Sequence, residues 1–224
     1  MKIKIITGWF FLLLLVSTVI AEKTAEQAFT EIYDKAIWGH GPDGKGFSGS
    51  GSSVKNAKIY MQFLQKFLKD NNIKSVVDVG CGDWTFSQYI DWSGINYIGY
   101  DVVKSVIEMN KRRFSGQNFQ FIMGDALNTN LPAADLLICK DVLQHLPNSD
   151  ILLFLKQCSK FKHCLITNDC DPKTGTSSNR DISFRGDCRP IDLIQAPFFV
   201  KGFKVLSYNS GKSDKKQVLH ISKF

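Results

Sequence analysis

Apolar residues recur at helical or strand spacing along most of this 224-residue chain. Residues 54–70 carry apolar side chains at every third or fourth position, which predicts an amphipathic helix. Ser52 or Ser53 precedes this stretch and can cap it. The same spacing predicts a shorter amphipathic helix over residues 24–37.

The rest of the chain alternates between short apolar segments and helical stretches. The apolar segments predict strands at 73–80, 96–101, 119–123, 135–139 and 164–168. Helices are predicted between them over 103–113 and 151–160. This alternation predicts an α/β fold with a doubly wound, mostly parallel sheet. After a polar loop at 170–189, strands at 202–208 and 217–222 predict a C-terminal hairpin with an antiparallel last strand.

The first 21 residues differ from the rest of the chain. Lys2 and Lys4 precede an apolar run over residues 5–20, and Ala21 ends it. This pattern is typical of a secretory signal peptide, with an uncleaved membrane anchor as the alternative. We therefore expect an exported or membrane-anchored domain, with a cytoplasm-facing anchored domain as the remaining arrangement.

Residues 22–53 combine the predicted short helix with a stretch rich in Gly and Ser. Such a composition is typical of a flexible linker, but Trp38, His40 and Phe47 are unusual in an inert spacer. A flap that closes over a ligand explains them equally well. The chain therefore divides into a leader (1–21), a helix and flap (22–53) and a globular domain (54–224).

Charge and cysteine content narrow the function only slightly. The formal net charge of +7 is concentrated in C-terminal lysines, which favours a solvated strand edge over a surface for nucleic acid or anionic lipid. The six cysteines show no metal-binding spacing, so no metal site is predicted. Cys170 and Cys188 flank a polar loop, and the sequence leaves open whether they pair in an oxidising compartment. Nothing in the sequence indicates an oligomeric state.

A glycine-rich corner follows the first predicted strand of the sheet. Gly80 and Gly82 allow a sharp turn and let a ligand approach the backbone. A helix is expected to start near Trp84, with its free N–H groups facing the turn. A corner of this kind at the carboxyl end of a parallel strand is where nucleotide-like ligands bind.

Acidic residues stand at three successive strand ends, namely Asp78, Asp101 and Asp125. Asp101 comes about 20 residues after Gly80, the spacing at which a carboxylate holds ribose hydroxyls. Each acid alone is explained as a helix cap or turn residue, but the three together favour a ligand site. A nicotinamide dehydrogenase would require a third glycine at position 85, where this chain has Thr85, so the sequence disfavours that class of enzyme.

The segments that carry these residues resemble the motifs of class I S-adenosylmethionine-dependent methyltransferases. They are residues 76–84, 97–101, 124–127 and 136–146. A narrower resemblance is to a group of small bacterial methyltransferases, through Trp38-Gly39, the Gly-Ser run 48–53, residues 81–83 and 141–146, and Arg189-Pro190. The resemblance implies S-adenosylmethionine as cofactor. The acceptor, which could be a small molecule, a glycan, a lipid or a protein, is not identified.

The resemblance also implies a role for individual residues. Around the methionine part of the cofactor it places Asp78, Gly80 and Gly82, with Cys81 between them. Asp101 would hold the ribose, and Asp125 with Ala126 would meet the adenine. Lys140 and Asp141 would line the side from which the methyl group leaves.

Asp141 and His145 are the candidate catalytic residues. They lie four residues apart after the fourth predicted strand, so one helical turn would place both on the same side. His145 is then the candidate proton acceptor. In the alternative, His145 packs at a helix start that Asp141 caps. The alternative function is a secreted, non-catalytic module, because an exported domain is separated from a cytosolic cofactor.

Overall fold

The computed structural model describes residues 23–114, 116, 118–171, 179–211 and 214–222. The predicted leader at 1–21 lies outside these residues, so its role stays a prediction. Within the described ranges, no helix has the length and apolar character needed to cross a membrane.

Four α-helices are present in the described chain: α1 Ala25–Asp34, α2 Val54–Asp70, α3 Lys104–Phe114 and α4 Asn148–Leu155. Thr24 caps α1 together with Gln27 in a capping box, and Ser53 caps α2 as predicted. The first helix ends before the predicted residue 37, since Ala36 has a positive φ of 47°.

A seven-stranded sheet forms the centre of the fold. Its strands are β1 Ser75–Val79, β2 Asn96–Asp101, β3 Phe119–Met123, β4 Ala134–Lys140, β5 Phe161–Cys170, β6 Phe203–Ser210 and β7 Asp214–Ser222. Their order is β3-β2-β1-β4-β5-β7-β6. The first five strands pair in parallel, and β7 runs antiparallel to both β5 and β6. This confirms the predicted mostly parallel sheet with an antiparallel last strand.

Apolar side chains cover both faces of the sheet, because strands buried on both sides alternate their residues between two cores. Val76 packs in the core that contains residues of α2 and α3, while Val77 and Val79 pack in the core that contains α4. The strand order reverses between β1 and β4. Such a switch point opens a crevice at the carboxyl ends of the strands.

The helix expected near Trp84 is absent, so that prediction was wrong. Trp84 has a positive φ of 58°, and only a short 3₁₀ turn, Ser87–Tyr89, follows it. Its indole ring is instead buried among other aromatic rings and donates a hydrogen bond to the hydroxyl of Tyr97 at 2.9 Å. Burial of this large ring stabilises the turn at the position where a helix was expected.

All six cysteines are free in the structure. The thiol of Cys170 donates to the carbonyl oxygen of Lys215, and Cys188 is exposed.

Candidate active site

A cleft lies over the carboxyl ends of β1 to β4 and is closed on its outer side by α1 and the Gly/Ser-rich segment. Its empty space, the open mouth included, is about 1040 Å³, at the upper end of the range for ligand sites. All eight residues predicted to bind a cofactor line it: Asp78, Gly80, Cys81, Gly82, Asp101, Asp125, Ala126 and Lys140. Residues that are up to 62 positions apart in sequence therefore share one cavity.

The two glycines of the corner have positive φ values, 68° at Gly80 and 56° at Gly82. A Cβ on Gly80 would stand 2.3 Å from Cγ2 of Val142, and one on Gly82 would stand 2.3 Å from Oγ of Ser48. From the sequence, these glycines are expected where a ligand approaches the backbone. The structure adds a second reason, since each leaves room for a neighbouring protein side chain.

The backbone amides of the corner all donate hydrogen bonds within the protein. Those of Gly80 and Cys81 donate to the carbonyl oxygen of Tyr100, and that of Gly82 donates to Oδ2 of Asp101 at 3.0 Å. The next amide, of Asp83, donates to Oγ of Ser48 at 2.8 Å. The corner thus presents mainly side chains to a ligand, rather than the free N–H groups of a helix N-terminus.

Asp101 is buried at the end of β2 and orders the corner. Besides the amide of Gly82, its carboxylate accepts the amide of Val103 at 3.0 Å. Burial raises its pKa, against the effect of these backbone hydrogen bonds. Each carboxylate oxygen can accept more than one hydrogen bond, so both retain capacity for ligand hydroxyls.

Asp125 stabilises a turn in addition to lining the cleft. Its carboxylate accepts the amide of Leu127 at 2.9 Å and Nδ2 of Asn128 at 3.0 Å. The turn-residue interpretation therefore applies to Asp125 as well, and its remaining lone pairs are available to a ligand.

Asp78 is almost fully buried where β1 meets the corner, with 6% of its surface exposed. Its Oδ2 accepts the hydroxyl of Tyr97 at 2.6 Å, and that hydroxyl accepts the indole N–H of Trp84. Burial raises the pKa of Asp78 to about 7, although the bond from Tyr97 opposes this shift. In the ligand-free cleft, burial therefore favours the neutral form of this carboxyl.

Asp141 is held between two lysines. Its Oδ2 lies 2.5 Å from Nζ of Lys140, and its Oδ1 lies 2.9 Å from Nζ of Lys216. Lys216 also pairs with Asp169, its partner in the β5–β7 register. Burial would raise the pKa of Asp141, but the two lysines outweigh it and lower the pKa to about 2. A carboxylate held in this way is a poor proton acceptor.

His145 is buried behind the cleft and is not among the residues that line it. Its Nδ1 donates to the carbonyl oxygen of Asp187 at 3.0 Å, and its ring lies 5.0 Å from that of Trp38. Burial lowers its pKa to about 4. The predicted helical turn is absent, because Asp141 has a φ of 60° and only a 3₁₀ turn, Leu143–His145, follows. The expectation that Asp141 and His145 face one side of a helix was therefore wrong.

The Gly/Ser-rich segment is fastened to the glycine corner. The amide of Ser48 donates to Oδ2 of Asp83 at 3.1 Å, and Oγ of Ser48 lies 2.6 Å from the hydroxyl of Tyr33. Nζ of Lys140 donates to the carbonyl oxygen of Gly51 at 3.2 Å. These contacts make the segment a wall of the cleft.

Several site residues were missed by sequence reasoning. Phe29 and Tyr33 line the cleft, but their helical spacing is the same as that of ordinary core residues. Lys216 and Asp169 carry no local signal, since only strand pairing brings them to Asp141. Trp38, which lines the cleft, was marked by its unusual occurrence in a Gly-rich stretch and by the narrower family resemblance, but it was given no role.

Comparisons with known proteins agree with this geometry. Residues 76–161 match the sequence profile of a methyltransferase domain family. The magnesium protoporphyrin IX methyltransferase of Synechocystis PCC 6803, solved with bound SAM, superposes with a TM-score of 0.63 at 14% identity. The match covers 91% of this chain and 99% of that one.

A second structure of that protein, with bound SAH, gives a TM-score of 0.61 at 14% identity over 90% of this chain and 100% of that one. A SAM-dependent methyltransferase from Leishmania major gives 0.55 at 14% identity over 73% and 72%. No curated protein matches the sequence significantly. At these identities the structures show the fold, while the sequence profile identifies the domain over β1 to the start of β5. Residues 76–161 therefore form a methyltransferase domain, and the chain shares its fold with methyltransferases that were solved with bound SAM or SAH.

Proposed function

We propose that this chain methylates a nucleophilic acceptor that binds in the cleft beside S-adenosylmethionine. When bound, this cofactor supplies an electrophilic sulfonium methyl group, so the protein mainly binds and orients the two reactants. The observation that supports the proposal is the convergence of all eight predicted cofactor-binding residues on one cavity.

The residues present fit the cofactor. Asp101 and Asp125 retain carboxylate lone pairs for ribose hydroxyls and for the adenine edge. The cofactor carries a net positive charge, which would draw Asp78 towards its ionised form. In this proposal, Asp78 and the corner meet the methionine end, and Asp101 holds the ribose.

Asp141 and His145 act in this proposal by positioning other groups. Asp141 orients Lys140, whose ammonium reaches the Gly/Ser-rich segment. His145 supports the ring of Trp38, which lines the cleft. In this proposal, neither side chain accepts the proton of the acceptor.

Calorimetric titration of residues 22–224 with S-adenosylmethionine tests the proposal, with NADH titrated separately. We expect binding of the first and none of the second. Asp101→Ala should weaken cofactor binding about tenfold or more, since it removes an acceptor of charge-assisted hydrogen bonds. Asp91→Ala, which removes an exposed carboxylate outside the cleft, is the matched control. If neither ligand binds, the non-catalytic module is the better description.

We also propose that residues 1–21 direct the domain to or across a membrane. Support comes from the sequence alone, in the apolar run that follows Lys2 and Lys4. A fusion of residues 1–40 to a reporter that is active only outside the cytoplasm tests this. Absence of reporter activity would contradict export.

A further inference from the structure

Three aromatic side chains form one continuous side of the cleft, which we call the aromatic wall: Phe29 and Tyr33 of α1, and Trp38 beyond it. The ring centroid of Trp38 lies 6.0 Å from that of Phe29 and 6.0 Å from that of Tyr33. All three residues line the cleft. Phe29 and Trp38 line the cleft and are only half-buried.

The aromatic wall is held from behind. The ring of His145 packs at a tilt against Trp38, with the centroids 5.0 Å apart, and meets Phe29 edge-on at 6.4 Å. The hydroxyl of Tyr33 is hydrogen-bonded to Ser48. Because neutral protein groups hold these rings in place, ligand binding loses little side-chain entropy at the aromatic wall.

The cleft is acidic. Among the described residues that line it, five are aspartates and one is a lysine. The lysine, Lys140, is paired with Asp141, which leaves Asp78, Asp83, Asp101 and Asp125. S-adenosylmethionine brings one net positive charge, so aspartates still outnumber the positive charges in the loaded cleft.

Acidic charge reaches the aromatic wall itself. Burial mainly raises the pKa of Tyr33, and the nearby charges of Asp101 and Asp83 raise it further. In the described chain, the protein cations that lie over aromatic rings face Phe114, Tyr60 and Phe86, and none lies over the wall. A negative potential beside aromatic rings that line a cleft is the environment in which organic cations bind.

We infer that the methyl acceptor carries an ammonium or other organic cation, which the aromatic wall and the neighbouring carboxylates hold. This inference rests on the proposed function and names the class of acceptor for the same site. Trp38 is then the main determinant of acceptor specificity, because indole gives the strongest interaction of an aromatic ring with a cation.

Choline and 3,3-dimethylbutan-1-ol are suitable probes, because they share a shape and differ in charge. The protein is first saturated with S-adenosylhomocysteine, and each probe is titrated calorimetrically at an ionic strength kept constant with NaCl. We expect choline to bind about tenfold more tightly than the neutral alcohol. Equal binding of the two probes, or binding of acetate in preference to choline, would overturn the inference.

Two variants locate the site of the cation. Trp38→Leu should weaken choline binding about tenfold, while Trp38→Phe should retain most of it. Unchanged choline binding in Trp38→Leu would refute the role of the aromatic wall. Binding of S-adenosylhomocysteine, measured first in each protein, shows that the variant is folded. Failure of the wild type to bind S-adenosylhomocysteine would overturn the proposed function, whereas its binding without choline would overturn the acceptor class alone.

Discussion

Asp78→Asn removes a buried charge while keeping the size of the side chain and an oxygen that accepts the hydroxyl of Tyr97. In the wild type, burial raises the pKa of Asp78 from 3.8 to about 7. The folded protein therefore retains a proton that the unfolded chain loses between these two pH values. Wild-type stability falls as the pH rises through this window, and the asparagine variant lacks this loss.

The magnitude follows from the shift. One pKa unit corresponds to about 1.36 kcal/mol. The free energy of unfolding of the variant minus that of the wild type should therefore be about 2.5 kcal/mol larger at pH 8 than at pH 5. Urea denaturation of both proteins at the two pH values measures this gain, and all other titrating groups cancel in the difference. The matched control is Asp91→Asn, whose exposed carboxylate has a lowered pKa and should give no gain over this range.

Binding of the cofactor should respond in the opposite sense. A cation near Asp78 favours the carboxylate, so wild-type affinity for S-adenosylmethionine should fall about tenfold from pH 8 to pH 6. Asp78→Asn should bind more weakly and lose this pH dependence. If the stability difference between wild type and variant is the same at pH 5 and pH 8, Asp78 does not titrate in this range and its raised pKa is refuted.

Three further substitutions test the packing around the cleft. Gly80→Ala should lower the free energy of unfolding by about 2–4 kcal/mol, because it strains a positive φ and brings a Cβ against Val142. Adding Val142→Ala should recover only the part of this loss that comes from the steric contact. Equal losses in the single and double variants would contradict the contact. Lys216→Met should lower the free energy of unfolding by about 3 kcal/mol at pH 7, because it leaves buried carboxylates without their cation. This loss should shrink as the pH falls towards the lowered pKa of Asp141, about 2. A loss that urea denaturation shows to be independent of pH would contradict the ion pairs. Ser48→Ala should speed hydrogen exchange at the amide of Asp83 about tenfold, whereas the exposed Ser50→Ala should not; equal exchange rates in the two variants would refute the fastening of this segment.

The sheet was predictable because its signals are local. β-branched and aromatic runs mark β2 and β3 at their observed bounds, Asn96–Asp101 and Phe119–Met123. Asp78, Asp101 and Asp125 were predictable from the same strands, since the carboxyl ends of parallel strands meet at one edge. Cys81, Ala126 and Lys140 were placed at the site by the family resemblance, and all of them line one cleft.

What could not be predicted depends on contacts that are distant in sequence or on single backbone angles. The missing helix after β1 reflects burial of Trp84 against Tyr97 and its neighbours. The position of His145 depends on the positive φ of Asp141, for which the sequence carries no glycine signal. Lys216 reaches Asp141 only through the pairing of β7 with β5.

The complete use of the amides of residues 80–83 within the protein has a thermodynamic consequence. Because these hydrogen bonds already fix the backbone of the turn, we expect little chain entropy to be lost there on binding. Association should therefore show little of the heat-capacity change that accompanies coupled folding. The segment that fastens to the turn through Ser48, rather than the turn itself, would then set how fast ligands enter and leave.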